Sequence, residues 1–381
     1  MPSTIQKRLR IAIVTTGRFH VCDLARELIR FGHEVKFYSL VPPWRTKQFG
    51  LPTESNRWML PRVAISATAT RLARSSKSQN RATQKLLLAF DNATSSVIQP
   101  CDVLIGMSGM CNKLAVTVKE KFGAQVWIER GSRHILSQKE ILDSIPGADK
   151  VSAFAVDREL QDYEQANTIS VLAKHCEESF LERGIPAEKL VRNPLGVNLK
   201  VFHSTVAPPP NPPTIIMTGT WSLQKGCDIL VAAWRQLKGT KLIHVGPIAD
   251  CPLPNDAEFV HFDKVDQSQL VNFYARAHVF ALASRQEGLA TVQPQALACG
   301  LRLVCTTRTG GEDLIPVVAD QTSIQAVLPN NVPQLTVALK RALELSRGEI
   351  GERIRLRPES RDELSWSGYG QRYHTSLCLR T

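Results

Sequence analysis

Three polar turns in the second half of this 381-residue chain hold the side chains best suited to chemistry. GTWSLQKG (Gly219 to Gly226) carries Lys225, SRQEGLATVQPQALACG (Ser284 to Gly300) carries Glu287 and Gln295, and RTGGEDL (Arg308 to Leu314) carries Gly310 and Gly311. Gly310 and Gly311 have no Cβ, so their backbone N–H groups can approach a phosphate closely. The helix-like EDLIPVVA that follows would aim its positive end at the same anion. Lys225 stands where CDILVAAWRQL begins a helix, and there it supplies a mobile point charge for a pyrophosphate. A carboxylate beside phosphates is electrostatically costly, so Glu287 is suited to accepting hydrogen bonds from the neutral hydroxyls of a sugar. Gln295 lies eight positions on, roughly two helical turns, where it can meet a second set of hydroxyls. Together these residues describe a site for a nucleotide diphosphate that carries a sugar.

Such side chains need strands to position them. TIIMT precedes the first turn, VFALA the second and LRLVCT the third, which is where an open parallel α/β sheet collects its ligand, outside the carboxyl ends of its strands. Strand-like TIIMTG, KLIHVG, EFVHF and HVFALAS alternate with amphipathic helical stretches, predicting a doubly wound sheet over residues 214–355. Residues 1–204 show another α/β pattern, and TVAPPPNPP at 205–213, five prolines in nine residues, is a stiff extended connection between the two. In the tail, 356–381, Leu364, Trp366, Tyr369 and Tyr373 recur at near-helical spacing. The length is comfortable for two domains, each with its own core.

These motifs resemble the retaining glycosyltransferases of family 4, which have the GT-B architecture: two Rossmann-like doubly wound α/β domains facing a central cleft. The family's Glu-x7-Glu pattern appears here as EGLATVQPQALACG, with Glu287 first and Gln295 replacing the second Glu, which in the family holds the ribose. Gln keeps an acceptor but loses the charge. Where relatives carry an Arg five residues before the phosphate Lys, this chain has Thr220; Arg285 or Arg308 could replace it. The resemblance reaches the first domain, where IAIVTTGRFHVCDLA matches the first strand, its Gly-containing loop with Gly17, and His20 beyond it. ERGSRH matches the loop in which relatives place a His beside the donor sugar, here His134. NPLGVN ends in the family's GV(D/N) signature at Gly196, Val197 and Asn198. In relatives a terminal helix crosses back onto the first domain; the alternative for 356–381 is packing on its own domain.

The resemblance implies sugar transfer from a nucleotide diphosphate donor with retention, without a metal or other cofactor, to a glycan, lipid-linked or small-molecule acceptor held mainly by the first domain. Glu287, Lys225 and His134 inherit catalytic roles. Gly17, Thr220, Lys225, Arg285, Glu287, Gly288, Leu289, Ala290, Gln295, Gly310 and Gly311 inherit donor contacts, and His20 is the acceptor-side candidate. Two alternatives stay open: a related epimerase acting on the nucleotide sugar itself, and a binding protein with a degenerate donor site, motivated by Gln295 and Thr220.

Composition narrows the remaining classes. No apolar run approaches the roughly 20 residues needed to span a bilayer, and the basic N-terminus leads into a first strand, IAIV, and not a signal peptide. Nine cysteines show no CxxC and no metal-like spacing, pointing to reduced thiols in a cytoplasmic protein. Gly106 and Gly109 lack the full dinucleotide fingerprint and mark a turn. Residues 1–90 hold sixteen Lys and Arg against four Asp and Glu, an excess equal to the +12 of the whole chain. Within them, RVAISATATRLARSSKSQNRATQKLLLAF interleaves basic and apolar residues, which fits an anionic membrane surface or an acidic acceptor, or else a solvated basic face. Nucleic acid is not expected, because the segment has no aromatic platform.

Overall fold

The structure, a computed structural model, describes residues 8–206, 208–209, 211–348 and 353–381. Ala207 and Pro210 of the expected linker, and residues 349–352 near the end of the expected second domain, lie outside the described residues. The first half runs β1 (Arg10–Thr15), α1 (Val21–Arg30), β2 (Glu34–Ser39), α2 (Pro43–Lys47), β3 (Asn56–Trp58), α3 (Ala64–Leu72), α4 (Ser76–Val97), β4 (Val103–Met107), α5 (Asn112–Phe122), β5 (Gln125–Arg130), α6 (Ile135–Asp143), α7 (Ala153–Gln165), β6 (Thr168–Val171), α8 (Lys174–Leu181) and β7 (Leu190–Arg192). The second runs β8 (Thr214–Thr218), α9 (Cys227–Trp234), β9 (Lys241–Val245), β10 (Phe259–Phe262), α10 (Leu270–Tyr274), β11 (Val279–Leu282), α11 (Val292–Ala298), β12 (Arg302–Thr306), β13 (Ile324–Val327), α12 (Val332–Gly348) and α13 (Trp366–Arg380).

Two wholly parallel sheets result, ordered β3-β2-β1-β4-β5-β6-β7 and β10-β9-β8-β11-β12-β13. Their central strands are apolar without alternation: every residue of β4, β8, β11 and β12 is buried, as helices on both faces of a parallel sheet require. Strand order reverses between β1 and β4 in one sheet and between β8 and β11 in the other. At such a reversal the loops diverge to opposite faces and open a crevice.

The chain crosses between the sheets twice, and the crossings lie together. Val197 N–H donates to Leu364 O at 2.8 Å, and Val197 forms a parallel bridge with Ser365. From there α13 lies on the first domain, against α1: the Phe31 and His374 rings stack at 4.8 Å, Trp127 and Tyr373 are 5.4 Å apart, and Gln125 donates to Arg380 O at 2.6 Å. Tyr369, Tyr373 and Leu377 are wholly buried. At about 1.5–3 kcal/mol for each large side chain removed from water, this helix is an integral part of the first domain's packing.

Candidate active site

The loop after β8 and the loop after β11 leave the two strands that flank the reversal in the second sheet. Gly219 N–H donates to Val245 O at 3.0 Å and Trp221 N–H to Pro247 O at 2.8 Å, while the buried Trp221 indole donates to Pro252 O at 3.1 Å. Gly226 has φ of 64°, and a Cβ there would lie 2.0 Å from Ala283 O. No side chain fits, so the two loops touch backbone to backbone. That contact brings Lys225 to Glu287: the ammonium and Oε1 form an ion pair, and the Ser284 hydroxyl donates to the same oxygen at 3.1 Å. Neither group is fully solvated, with 22% and 12% of the side chains exposed.

Glu287 also sits at the seam between the domains. A Cβ on Gly288 would lie 2.0 Å from Gly131 O, and His175 donates from Nε2 to Gly288 O at 3.0 Å. Beside it Gln286 donates to the Ser132 hydroxyl. Leu289 is buried and Ala290 half-buried at the entrance to α11. Gln295, the middle residue of α11, is 3% exposed, and its Oε1 is buried without a hydrogen-bond partner among the described residues. Such orphaned acceptors are rare in folded proteins.

On the first-domain side, Gly17 and His20 lie in the loop between β1 and α1, where Phe19 has φ of 38°, a costly backbone for an aromatic residue. His20 Nε2 meets Glu129 Oε2 at 2.8 Å. Glu129, at the end of β5, is wholly buried and also accepts from the Tyr373 hydroxyl at 2.7 Å and the Tyr369 hydroxyl at 3.5 Å. The ring's Nε2–H donates to the carboxylate, which in the neutral imidazole leaves Nδ1 as the acceptor. Between the two domains opens a cavity of about 1190 Å³, with Arg18, Arg26 and Phe49 on one wall and Thr220, Gly246 and Val292 on the other. Asp23 holds both arginines, at 2.9 and 2.7 Å, and Arg18 lies 3.7 Å over the Phe49 ring.

Several sequence expectations are corrected by these positions. His134 does not face a donor sugar: it is 3% exposed, caps α6 by accepting Leu136 N–H at Nδ1 (3.2 Å), and its ring lies 5.0 Å from those of both Tyr163 and Phe180. Burial, with Arg183 and Arg130 nearby, pushes it down to about 4. Arg285 is not available to a diphosphate, because Asp228 takes it in two bonds of 2.7 Å and Asn330 accepts from its Nε at 2.6 Å. Arg308, the other replacement, forms no ion pair among the described residues; burial and neighbouring Arg133 both hold it below the usual guanidinium range. EDLIPVVA is not an α-helix: Gly311–Val317 is a 3₁₀ turn containing Pro316, and it begins beside the buried Gly310. Asp313 in that turn accepts from Lys174 N–H at 3.0 Å.

No sequence motif singles out Glu129. Its signal was a carboxylate at the end of a buried strand, which only the fold connects to His20 and the distant tyrosines. Among the described residues the one grouping with metal-type ligands is His33, His374 and Cys378. His33 Nδ1 accepts Leu9 N–H at 3.2 Å, which leaves the proton on Nε2 to be donated to His374 Nδ1 at 2.9 Å. The lone pairs a cation would need are thus engaged in tying α13 to the first domain. No helix of the described residues is long and apolar enough to cross a membrane.

The family profile described as Glycosyl transferases group 1 matches residues 212–344. No curated protein sequence matches the chain. Similar solved structures include sucrose-phosphate synthase from Thermosynechococcus elongatus, with a TM-score of 0.68 and 18% identity over 97% of this chain and 98% of that one. Anabaena HepE in complex with UDP-glucose superposes with a TM-score of 0.64 and 13% identity over 97% and 99%. A protein described as trehalose-6-phosphate from E. coli bound with UDP-2-fluoro glucose gives 0.64 and 11% over 97% and 99%. At these identities the structures report on fold, and they share it from end to end. Residues 212–344, which carry the second sheet, are thus similar to the glycosyl transferases of group 1, and the two-sheet fold, shared with these structures from end to end, is the GT-B architecture.

Proposed function

We propose that the protein transfers a sugar from a nucleotide diphosphate donor to an acceptor on the first-domain side of the cleft, with retention and without a metal. The observation that carries this reading is the Lys225–Glu287 pair at the strand-order reversal. When a donor enters, its diphosphate competes for Lys225, and the freed Glu287 carboxylate accepts from sugar hydroxyls. Arg308 and the backbone at Gly310 and Gly311 form the remaining phosphate contacts, and Gln295 Oε1 takes a ribose hydroxyl. Thr220 lies on the cavity wall, so the diphosphate there meets a hydroxyl donor and not a guanidinium. As the bond between anomeric carbon and phosphate oxygen breaks, its electron pair goes to the diphosphate, where fixed cations and N–H groups stabilise it. The acceptor oxygen bonds to the anomeric carbon on the same face, and its proton passes to the departing phosphate oxygen. No Asp-x-Asp stands at a strand end in the sequence; Lys225 and Arg308 supply the positive charge.

His20, held by Glu129, orients the acceptor hydroxyl through Nδ1. Eight of the nine cysteines are buried as free thiols, which fits a reducing, cytoplasmic compartment. The test is a panel of UDP- and GDP-sugars, screened first by thermal shift, since a ligand that binds the folded state raises its stability. Each binder is then followed for nucleotide release with and without an acceptor mixture. Transfer products with retained anomeric configuration support the reading, and inverted products overturn retention. An isomer formed from donor alone makes the protein an epimerase, and binding without turnover makes it a degenerate receptor.

A further inference from the structure

Helix α3 is apolar on the wrong side. None of its residues is buried; Ser66, Ala67 and Thr70 are half-covered, whereas Ile65 is 89% exposed and Leu72 72% exposed. Residues 65, 69 and 72 are spaced i, i+4, i+7 and so share one face. Here that face is Ile65, Ala69 and Leu72, and all three are exposed. Two of its three hydroxyl residues, Ser66 and Thr70, take the covered side, with Thr70 Oγ1 donating to Ser66 O at 3.0 Å. A surface helix of a globular protein ordinarily does the opposite. Two large aliphatic side chains held in water on an ordered helix mark a contact surface.

The charge around this face has one sign. From Ser55 through Phe90 there is no Asp or Glu, while Arg57, Arg62, Arg71, Arg74, Lys77, Arg81 and Lys85 contribute seven cations. Arg62, Arg71, Arg74, Lys77, Arg81 and Lys85 are exposed, and those from Arg62 to Lys85 have no ion pair among the described residues. Aliphatic side chains flanked by unpaired cations complement an anionic lipid interface: the chains enter the headgroup region while the cations meet the phosphates. A protein partner would have to bring a strongly acidic face. A nucleic acid would leave Ile65 and Leu72 unused.

We infer that the α3–α4 hairpin is the docking surface by which this protein sits on an anionic bilayer. The inference gives the proposed transferase a membrane-borne acceptor, but its test does not depend on catalysis. Full-length protein is co-sedimented with vesicles of phosphatidylcholine containing about 30% phosphatidylserine, and with phosphatidylcholine alone, at about 0.1 M salt. Wild type sediments with the anionic vesicles only. Replacing Arg71, Arg74, Lys77 and Arg81 together with Gln lowers the partition coefficient at least about a hundredfold, from a several-fold contribution per cation. The double substitution Ile65→Ser and Leu72→Ser, which leaves the charge intact, lowers it about tenfold or more. Melting temperatures near wild type show that both variants fold, since exposed substitutions seldom change stability by much. Equal sedimentation with both lipids, none with either, or undiminished binding by either variant overturns the inference. So does a wild-type dimer that dissociates on the Ile65 and Leu72 substitutions, which would assign the face to a second copy of the chain.

Discussion

At the scale of single residues, the candidate site is defined by what each polar atom lacks or already holds. Gln295 Oε1 has no partner and is buried, so a ribose hydroxyl there would remove an existing cost. Gln295→Ala is expected to weaken nucleotide binding by about 1–2 kcal/mol, the scale of a lost neutral hydrogen bond and an unsatisfied partner, measured by calorimetry with the nucleoside diphosphate. Gln295→Glu should retain or improve affinity, and unchanged affinity in the Ala variant would place Gln295 outside the site. Lys225, Glu287 and Gln295 were legible in the sequence because the first two stand in turns at strand ends and Gln295 in the helix that follows, so local spacing alone determines their positions in the chain's α/β pattern. His134 and Arg285 were not, since the same loops also supply caps and internal ion pairs. Only three-dimensional packing shows that Asp228 has claimed the Arg285 guanidinium and that Tyr163 and Phe180 enclose the His134 ring.

At the scale of elements, the buried histidines make the domains acid-sensitive. Burial holds His33, His134, His175 and His244 at about 4, against an ordinary value near 6.5. A folded value below the unfolded one means that the stability is fully present above pH 6.5 and is lost as the pH falls toward 4. Asp162 has the opposite sign: burial raises it to about 7, so its contribution is greatest below about pH 4 and is lost as pH rises toward 7, offsetting one histidine. Urea midpoints should therefore fall between pH 7 and pH 5. His134→Asn, which can still cap α6 through its side-chain oxygen, should reduce that loss by about 1 kcal/mol; an unchanged loss would mean that His134 is protonated in the folded protein. The strands were readable as apolar runs between Gly-rich turns. The segment after Gly311 was not, because Pro316 and the bond from Lys174 to Asp313 favour a 3₁₀ turn over the helix that its composition implies.

At the scale of the molecule, two parallel sheets, two adjacent crossings and a terminal helix laid against α1 put both strand-order reversals on one cleft. The alternation of apolar runs and helices made the two-sheet plan readable from the chain. The placement of α13 was not, because spacing of Leu364, Trp366, Tyr369 and Tyr373 shows which face is buried without showing what covers it. In the fold that face belongs to Glu129, Trp127 and α1. The central claim is that Lys225 and Glu287 part to receive a nucleotide sugar's diphosphate and sugar. The most direct measurement is the initial rate of nucleoside diphosphate release from the best-binding nucleotide sugar, in wild type and in Lys225→Ala. Loss of one preorganised cation should lower turnover by about 10²-fold or more in a variant that melts like the wild type. An unchanged rate would show that the leaving diphosphate does not lie against Lys225, and the account of this site would be wrong.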